Sequence, residues 1–226
     1  MSIREVRNPD GSITVTQELE LSGEMRPVRD DVVTAMDDVL GRAGEVMHAI
    51  DPARIMSFAN GGPAVWSVGA VAVSTPKPYG YALTYGMSHV VSPEPFRDGI
   101  GYELSIGIDG AHLPEIWAIA LLRHLCRYIL SSGNELMVGD VMPCHAPITR
   151  IPFPPQHHAS MPDTEVDSII VTPDPVIPRI DTPHGPIEVR RIVGVTMREL
   201  QRLGPMPPAA RTSARAAVDP LLLTTI

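Results

Sequence analysis

Side chains that could ligate a metal are concentrated in the proline-rich stretch 143–162, which contains Cys144, His145, His157 and His158. Zn²⁺ accepts thiolate and imidazole ligands. Adjacent ligands rarely both point at one ion, however, and this spacing matches no zinc finger. We therefore expect no metal and no cofactor here, and we expect the two later histidines to be solvated residues of a long surface loop. A metal-dependent enzyme is the least favoured of three hypotheses.

Two acidic residues, Glu103 and Asp140, are the best candidates for a catalytic carboxylate pair. Glu103 falls on the small, polar face of a predicted strand, which favours a hydrogen-bonded or solvated role over catalysis. The single lysine, Lys77, follows no glycine-rich turn, so it cannot belong to a phosphate-binding loop. No nucleophile, base and orienting group occur in a recognisable arrangement. The sequence therefore predicts a protein without catalytic residues.

Composition and charge narrow the class of partner. The chain has 226 residues, 44% of them hydrophobic, as expected of one globular domain. Its net charge is −8. An acidic surface repels nucleic acid and anionic membranes and suits a basic protein partner, although many proteins carry such charge for solubility alone. The N-terminus lacks the apolar core of a signal peptide, and the longest apolar run, 116–122, is too short to span a bilayer, so we expect a cytoplasmic protein.

Periodicity predicts the elements that carry these residues. Strands are predicted at 13–21, 65–73, 79–88, 100–109, 169–171 and 187–195, and helices at 32–50, at 114–131 and after a capping box at 196–199. Residues 79–88, 100–109 and 187–195 should share one sheet, with the helix at 114–131 packed on it. We assign residues 1–204 to a single domain. Residues 205–226 form a Pro/Ala/Arg-rich C-terminal extension whose order the sequence leaves open, and its stretch 205–220 has the composition of a linker or loose tail.

Seven motifs, in order between Tyr79 and Leu203, resemble segments of the Suppressor of fused family. They are Tyr81–Ser88, Gly99–Ser105, Pro114–Trp117 running to Leu125–Tyr128, Gly139-Asp140, Asp174-Pro175, Thr182–Gly185, and Ile192–Thr196 with Glu199-Leu200. The second of these is similar to the family's Gly-Phe-Gly-Phe-Glu-Leu-Thr strand. Together with the element pattern, the resemblance predicts an α+β fold with a mixed, mainly antiparallel β-sheet and helices packed on it.

The resemblance also implies a protein-binding domain without catalytic activity. In animal members a peptide from a transcription factor is received as an added β-strand. The tyrosine and aspartate of that contact region match Tyr128 and Asp140, which we predict to be partner-binding. The alternative is that Tyr128 is an aromatic residue at the edge of the core and Asp140 forms a turn.

Some features depart from the family pattern and bear on the partner. Gly107 stands where the family has an arginine, and neither the family's terminal segment nor its second domain is found in the sequence. All basic residues except Lys77 are arginines, which suggests a bacterial source. Stand-alone bacterial members of the family are associated with immunity against secreted toxins, so the resemblance implies our first hypothesis, a bacterial immunity protein that binds and neutralises a cognate toxin. The acidity of the chain would suit a basic toxin domain. The second is a regulatory scaffold that sequesters a cellular protein such as a transcription regulator.

Overall fold

The computed structural model describes residues 2–7, 13–18, 30–43, 45–49, 67–89, 101–110, 114–183 and 185–226. The strands in these ranges are β1 (Ser2–Arg7), β2 (Ile13–Glu18), β3 (Glu45–Ala49), β4 (Ser67–Val73), β5 (Tyr79–Tyr85), β6 (Tyr102–Asp109), β7 (Val141–Pro143), β8 (Val166–Pro173), β9 (Arg179–Thr182) and β10 (Gly185–Thr196). The helices are α1 (Asp30–Ala43), α2 (Ile116–Ser132), α3 (Met197–Leu203) and α4 (Pro208–Val218). The sequence also carries turn signals at 8–11 and 60–63 and predicts a loop around 93–95, and these residues lie outside the described ranges.

One mixed sheet organises the chain, with the strand order β3-β4-β5-β6-β10-β8-β7. Strand β9 pairs with the first part of β10, whose second part pairs with β8. The β6–β10 pairing is parallel, and the other pairings in this sheet are antiparallel. Strands β1 and β2 pair with each other in a separate two-stranded sheet. The predicted α+β class is confirmed, and so is the shared sheet of β5, β6 and β10.

Successive side chains of a strand point to opposite faces of the sheet. Both faces are buried, because helices pack on each of them. On one face α2 packs Trp117 and Leu121, 0% and 1% exposed, against alternate residues of β6, as predicted. On the other face α1 covers the tyrosines of β5. On that same face α3 and α4 cover Val193 and Val195 of β10. None of the helices in the described ranges has the length and apolar character needed to cross a membrane.

The ends of two helices follow the signals in the sequence. Helix α2 begins directly after Pro114 and Glu115, and it ends at Gly133, whose φ of 71° is left-handed and whose N–H donates to Ile129 O at 2.9 Å. Helix α3 begins at the predicted capping box, where Thr196 Oγ1 accepts a hydrogen bond from Glu199 N at 3.2 Å.

Two predictions were wrong, one in the extent of a helix and one in the exposure of a loop. The helix predicted over 32–50 ends at Ala43, and residues 45–49 form β3, in which Val46 pairs with Val71 of β4. Pairing with a neighbouring strand here overrides a helical pattern of apolar residues. The predicted surface loop 143–162 is not all at the surface, because Ile148 and Thr149 are fully buried.

The linker or loose-tail interpretation of residues 205–220 was also wrong, because this stretch contains a helix. Pro208–Val218 form α4, and the last residues enter the sheet. Strands β6 and β10 pair only as far as Ile106 and Ile192, and beyond this point Thr224 bonds to both. Its N–H donates to Gly107 O at 2.7 Å, and its Oγ1 accepts from Gly194 N at 2.9 Å. A domain boundary at residue 204 stays a prediction.

Candidate functional site

Tyr128 lies near the end of α2 and is 40% exposed, whereas its helical neighbours Leu125 and Ile129 are buried. Its hydroxyl accepts a long hydrogen bond from Asn134 Nδ2 at 3.5 Å. Ser132 Oγ donates to the Tyr128 carbonyl at 2.7 Å, which fixes the last turn of the helix. The ring therefore stands at the surface, held from behind by the segment that leaves α2.

Asp140 closes the turn that leads from this segment into β7. Its Oδ2 accepts from Met137 N at 2.8 Å, and its N–H donates to Met137 O at 2.9 Å. Its carbonyl accepts from Val171 N at 2.9 Å, which joins the turn to β8. One carboxylate oxygen, Oδ2, thus serves the turn, in agreement with the alternative that Asp140 is a turn former. The other, Oδ1, makes no hydrogen bond with any described residue.

The segment between Tyr128 and Asp140 is held on the sheet by two side chains. Tyr102 Oη accepts from Leu136 N at 3.2 Å, and Arg190 Nη1 donates to Leu136 O at 2.7 Å. The Arg190 guanidinium also lies 3.6 Å from the centre of the Tyr102 ring. Met137, next in the chain, is 52% exposed. We call Tyr128, Met137 and Asp140 the α2–β7 surface.

Helix α4 supports this surface from the other side, a contribution that the sequence did not reveal. Gly139, at a φ of 92°, packs against Pro208 so closely that a Cβ would lie 2.6 Å from Pro208 Cα. Arg211 donates to the carbonyls of Leu203 at 3.2 Å, Gly139 at 2.8 Å and Gly204 at 2.7 Å. One arginine thus ties the turn before Asp140 to the end of α3.

A buried ion pair lies beneath the α1 face of the sheet. Arg191 Nε donates to Asp174 Oδ2 at 3.0 Å, and neither side chain is exposed. Asp174 Oδ2 also accepts from the Tyr81 and Ser105 hydroxyls, and its Oδ1 accepts from two backbone N–H groups. Burial, followed by the Asp174 charge, raises the pKa of Tyr81 well above its usual value. This pattern describes a structural network, because every oxygen of the carboxylate is already occupied.

Glu103 is buried and structural, consistent with the hydrogen-bonded role that the sequence favoured. Its carboxylate accepts from five donors at 2.6–3.3 Å: Thr84 Oγ1, Gly86 N, Met87 N, Ser88 N and Ser88 Oγ. Burial raises its pKa, although the Ser88 and Thr84 hydroxyls oppose the shift. Glu103 and Asp140 have separate hydrogen-bond partners among the described residues, Thr84 to Ser88 for Glu103 and Met137 for Asp140, so the structure does not show them as a catalytic pair.

The cysteine and histidine side chains of 143–162, which were considered as metal ligands, lie in different surroundings. Burial raises the pKa of the Cys144 thiol to about 11, and this thiol donates weakly to Met142 O at 3.6 Å. His158 is half-buried, with Nε2 2.9 Å from Phe153 O, so it is not the solvated residue expected. Across the described ranges, no group of three or more His, Cys, Asp or Glu is placed to hold one ion.

A cavity of about 330 Å³ lies between α1 and the start of β9. Its walls include Val39 and Ile177, and its rim carries Asp38, Arg42 and the Arg179–Asp181 ion pair. No local pattern in the sequence predicts this cavity, because the residues that line it are distant along the chain.

Comparison with known proteins identifies the family. Residues 55–203 match the family described as Suppressor of fused protein (SUFU), so the chain belongs to this family. It is 24% identical to the human Suppressor of fused homolog and 23% identical to the mouse homolog, each over 145 residues. These matches cover 59% of this chain and 28% of each relative, so the chain spans little more than a quarter of their length.

Solved structures share the fold. A chain of the Sufu–Fu complex crystal structure superposes with a TM-score of 0.65 at 17% identity, covering 87% of this chain and 88% of that one. Drosophila Suppressor of Fused gives the same TM-score and identity, covering 87% of this chain and 49% of that one. At such identity the likeness shows the α+β fold alone.

Proposed function

We propose that this protein is a non-enzymatic protein-binding domain that receives its partner on the α2–β7 surface. The observation that carries the proposal is the arrangement at Asp140, where a carboxylate oxygen without a bond to any described residue stands directly before β7. Strand β7 is the last in the order of the main sheet among the described residues. Exposed Tyr128 and Met137 supply apolar contact area close by in the chain.

Strand addition is the binding mode that suits this arrangement. A partner segment would pair its backbone with the outer edge of β7. One of its donors would bind Asp140 Oδ1, and its side chains would pack on the Tyr128 ring and Met137. Losing a hydrogen bond to a charged group costs roughly 1.5–3 kcal/mol, or about ten- to a hundred-fold in affinity.

For the biological role we propose a bacterial cytoplasmic immunity protein that neutralises a toxin. The net charge of −8 supports a basic toxin domain as the partner, because opposite charge accelerates encounter. The second candidate is a regulatory scaffold that sequesters a cellular protein. It is supported by a relative of the same fold that was solved as the Sufu–Fu complex.

Affinity capture from the source organism, followed by titration of the purified partner, tests the proposal. Asp140→Asn is the decisive variant, because its amide oxygen can still accept from Met137 N while the charge is lost. We expect Asp140→Asn and Tyr128→Ala each to weaken binding at least ten-fold with unchanged melting. Glu165→Gln, at an exposed position elsewhere, removes the same single charge and is the matched control. Unchanged affinity of both site variants would refute the site.

The same partner decides between the two roles. A captured protein that stops growth when expressed alone, and is harmless when co-expressed with this chain, supports immunity. A captured regulator that is not toxic and is held inactive supports the scaffold.

A further inference from the structure

The outward side of α2 carries a basic stripe on an otherwise acidic protein. We call Arg123, His124 and Arg127 the α2 stripe. His124 and Arg127 are exposed and Arg123 is half-buried. Residues three and four apart on a helix are neighbours, so the three side chains form one continuous patch. Ile116, 69% exposed, lies on the same side one turn or more before them, and Tyr128 of the α2–β7 surface adjoins them.

Among the residues that the structure describes, no carboxylate pairs with the two arginines of this stripe. Arg150, Arg179 and Arg190 each pair with a carboxylate at 2.7–3.2 Å. By contrast, Arg123 and Arg127 make no ion pair or side-chain hydrogen bond with any residue in the described part of the chain. Burial lowers the pKa of Arg123, and the Arg127 charge lowers it further. The same two causes, in the same order, lower the pKa of His124. Like charges are therefore held close together, and no described residue pairs with them.

We propose that the α2 stripe binds an acidic segment of the protein partner. Two guanidiniums one helical turn apart match carboxylates spaced along an extended or helical segment, and arginine binds carboxylates through two parallel hydrogen bonds. An apolar residue of the same segment would cover Ile116. The inference rests on the proposed function in taking the partner to be a protein, and it deepens that function by specifying the partner's charge next to Tyr128.

A phosphate polymer fits this stripe less well than a protein segment. The net charge of −8 repels a uniformly charged chain at long range, and the stripe offers only two arginines against that repulsion. A protein can present a few carboxylates locally while its remaining surface is neutral or basic. The overall charge and the local stripe then favour the same partner, a basic body that carries an acidic segment.

Fluorescence anisotropy with synthetic probes tests the inference without the native partner. The probes are a fluorescein-labelled peptide of alternating Glu and Leu, the same peptide with Gln for Glu, and labelled single-stranded oligo(dT). At low salt the Glu peptide should bind about ten-fold more tightly than the Gln peptide, as expected for two ion pairs. The difference should vanish in Arg123→Glu/Arg127→Glu. It should persist in Arg198→Glu/Arg202→Glu, which changes the charge equally on exposed positions of α3.

Each other outcome overturns the inference. These outcomes are equal binding of the Glu and Gln peptides, equal loss in the two double variants, and tighter binding of oligo(dT) than of the Glu peptide. The inference and the proposed function fail separately. Asp140→Asn should leave binding of the Glu peptide unchanged, whereas it should release the native partner. Suppose that Asp140→Asn leaves the affinity for the native partner unchanged, while binding of the Glu peptide still depends on Arg123 and Arg127. Then only the proposed docking at Asp140 is refuted.

Discussion

Asp174 offers the most demanding test of the physical account of this fold. Replacing it with Ala removes the carboxylate that faces Arg191 in a site where neither side chain is exposed. The buried guanidinium then has no counter-charge. The Tyr81 and Ser105 hydroxyls and the N–H groups of Val176 and Ile177 lose their acceptor as well.

The magnitude follows from these losses. Breaking a buried ion pair by removing one partner costs about 3–5 kcal/mol. Each orphaned buried donor adds about 1–3 kcal/mol when water cannot reach it, although such terms do not simply add. We therefore expect Asp174→Ala to lower the free energy of unfolding by at least ~4 kcal/mol. Because whole domains have stabilities of about 5–15 kcal/mol, this variant should be barely folded at 25 °C.

Urea denaturation followed by circular dichroism measures the effect, and a double-mutant cycle identifies its cause. Asp174→Ala/Arg191→Met removes both charges, so it should be less destabilised than the sum of the two single variants. A buried pair replaced by apolar residues is often nearly neutral in stability. A loss of less than ~1 kcal/mol in Asp174→Ala, or strictly additive losses in the cycle, would refute the network as described.

Three further predictions concern Glu103 and Gly139. Glu103→Ala should lower the free energy of unfolding by about 3 kcal/mol or more in urea titrations, because five donors lose their acceptor; a neutral result would contradict it. Since the pKa of Glu103 is raised above 4.5 in the folded protein, the folded state binds the proton more tightly. The stability of the wild type relative to Glu103→Gln should therefore rise as pH falls through that raised pKa and level off below about 4.5; a difference independent of pH would count against burial as the cause. Gly139→Ala should lower the melting temperature, because its Cβ would overlap Pro208 at a φ of 92°; the exposed Gly133→Ala shares the positive φ without the overlap and should cost less.

Local signals in the sequence predicted what local physics determines. The alternation in β5 and β6, the two faces of α2, the terminating Gly133 and the capping box at Thr196 all depend on neighbours within a few residues. The errors arose where distant residues decide. Val46 belongs to a strand because β4 lies beside it. The Ala- and Arg-rich segment after residue 205 forms α4, and Arg211 of this helix donates to three carbonyls. One of them, Gly139 O, is distant in the chain, so local sequence could not predict the contact.

The candidate site divides in the same way. The family resemblance pointed to Tyr128 and Asp140 as partner-binding residues, and that role stays a prediction, whereas the turn-forming role of Asp140 could be read from its residue type. Pro208 and Arg211, which support that turn, carried no signal. Neither did the surroundings of Arg191, whose burial depends on Asp174 and on the absence of a side chain at Gly107.

Gly107, where the resemblance predicts an arginine, lies against the buried guanidinium of Arg191. A Cβ at Gly107 would overlap Arg191 Nη1, so the Arg191 guanidinium occupies the space that a side chain at 107 would enter. The arginine beside Asp174 is supplied by β10, and we predict that an arginine at position 107 of β6 could take its place. Gly107→Arg alone should be strongly destabilising, because two guanidiniums cannot share one buried space.

Exchanging the two positions tests this relocation. Arg191→Ala alone leaves the buried Asp174 carboxylate without its ion-pair partner, and we expect the free energy of unfolding to fall by about 3–5 kcal/mol. In Gly107→Arg/Arg191→Ala the new arginine can enter the vacated space and face Asp174 from β6. The double variant should then be more stable in urea than either single variant, which no additive effect can produce. Gly107→Leu/Arg191→Ala, which fills the space without charge, is the matched control. If the Leu control recovers as much stability as the Arg exchange, the space needs volume and not charge, and the relocation is refuted.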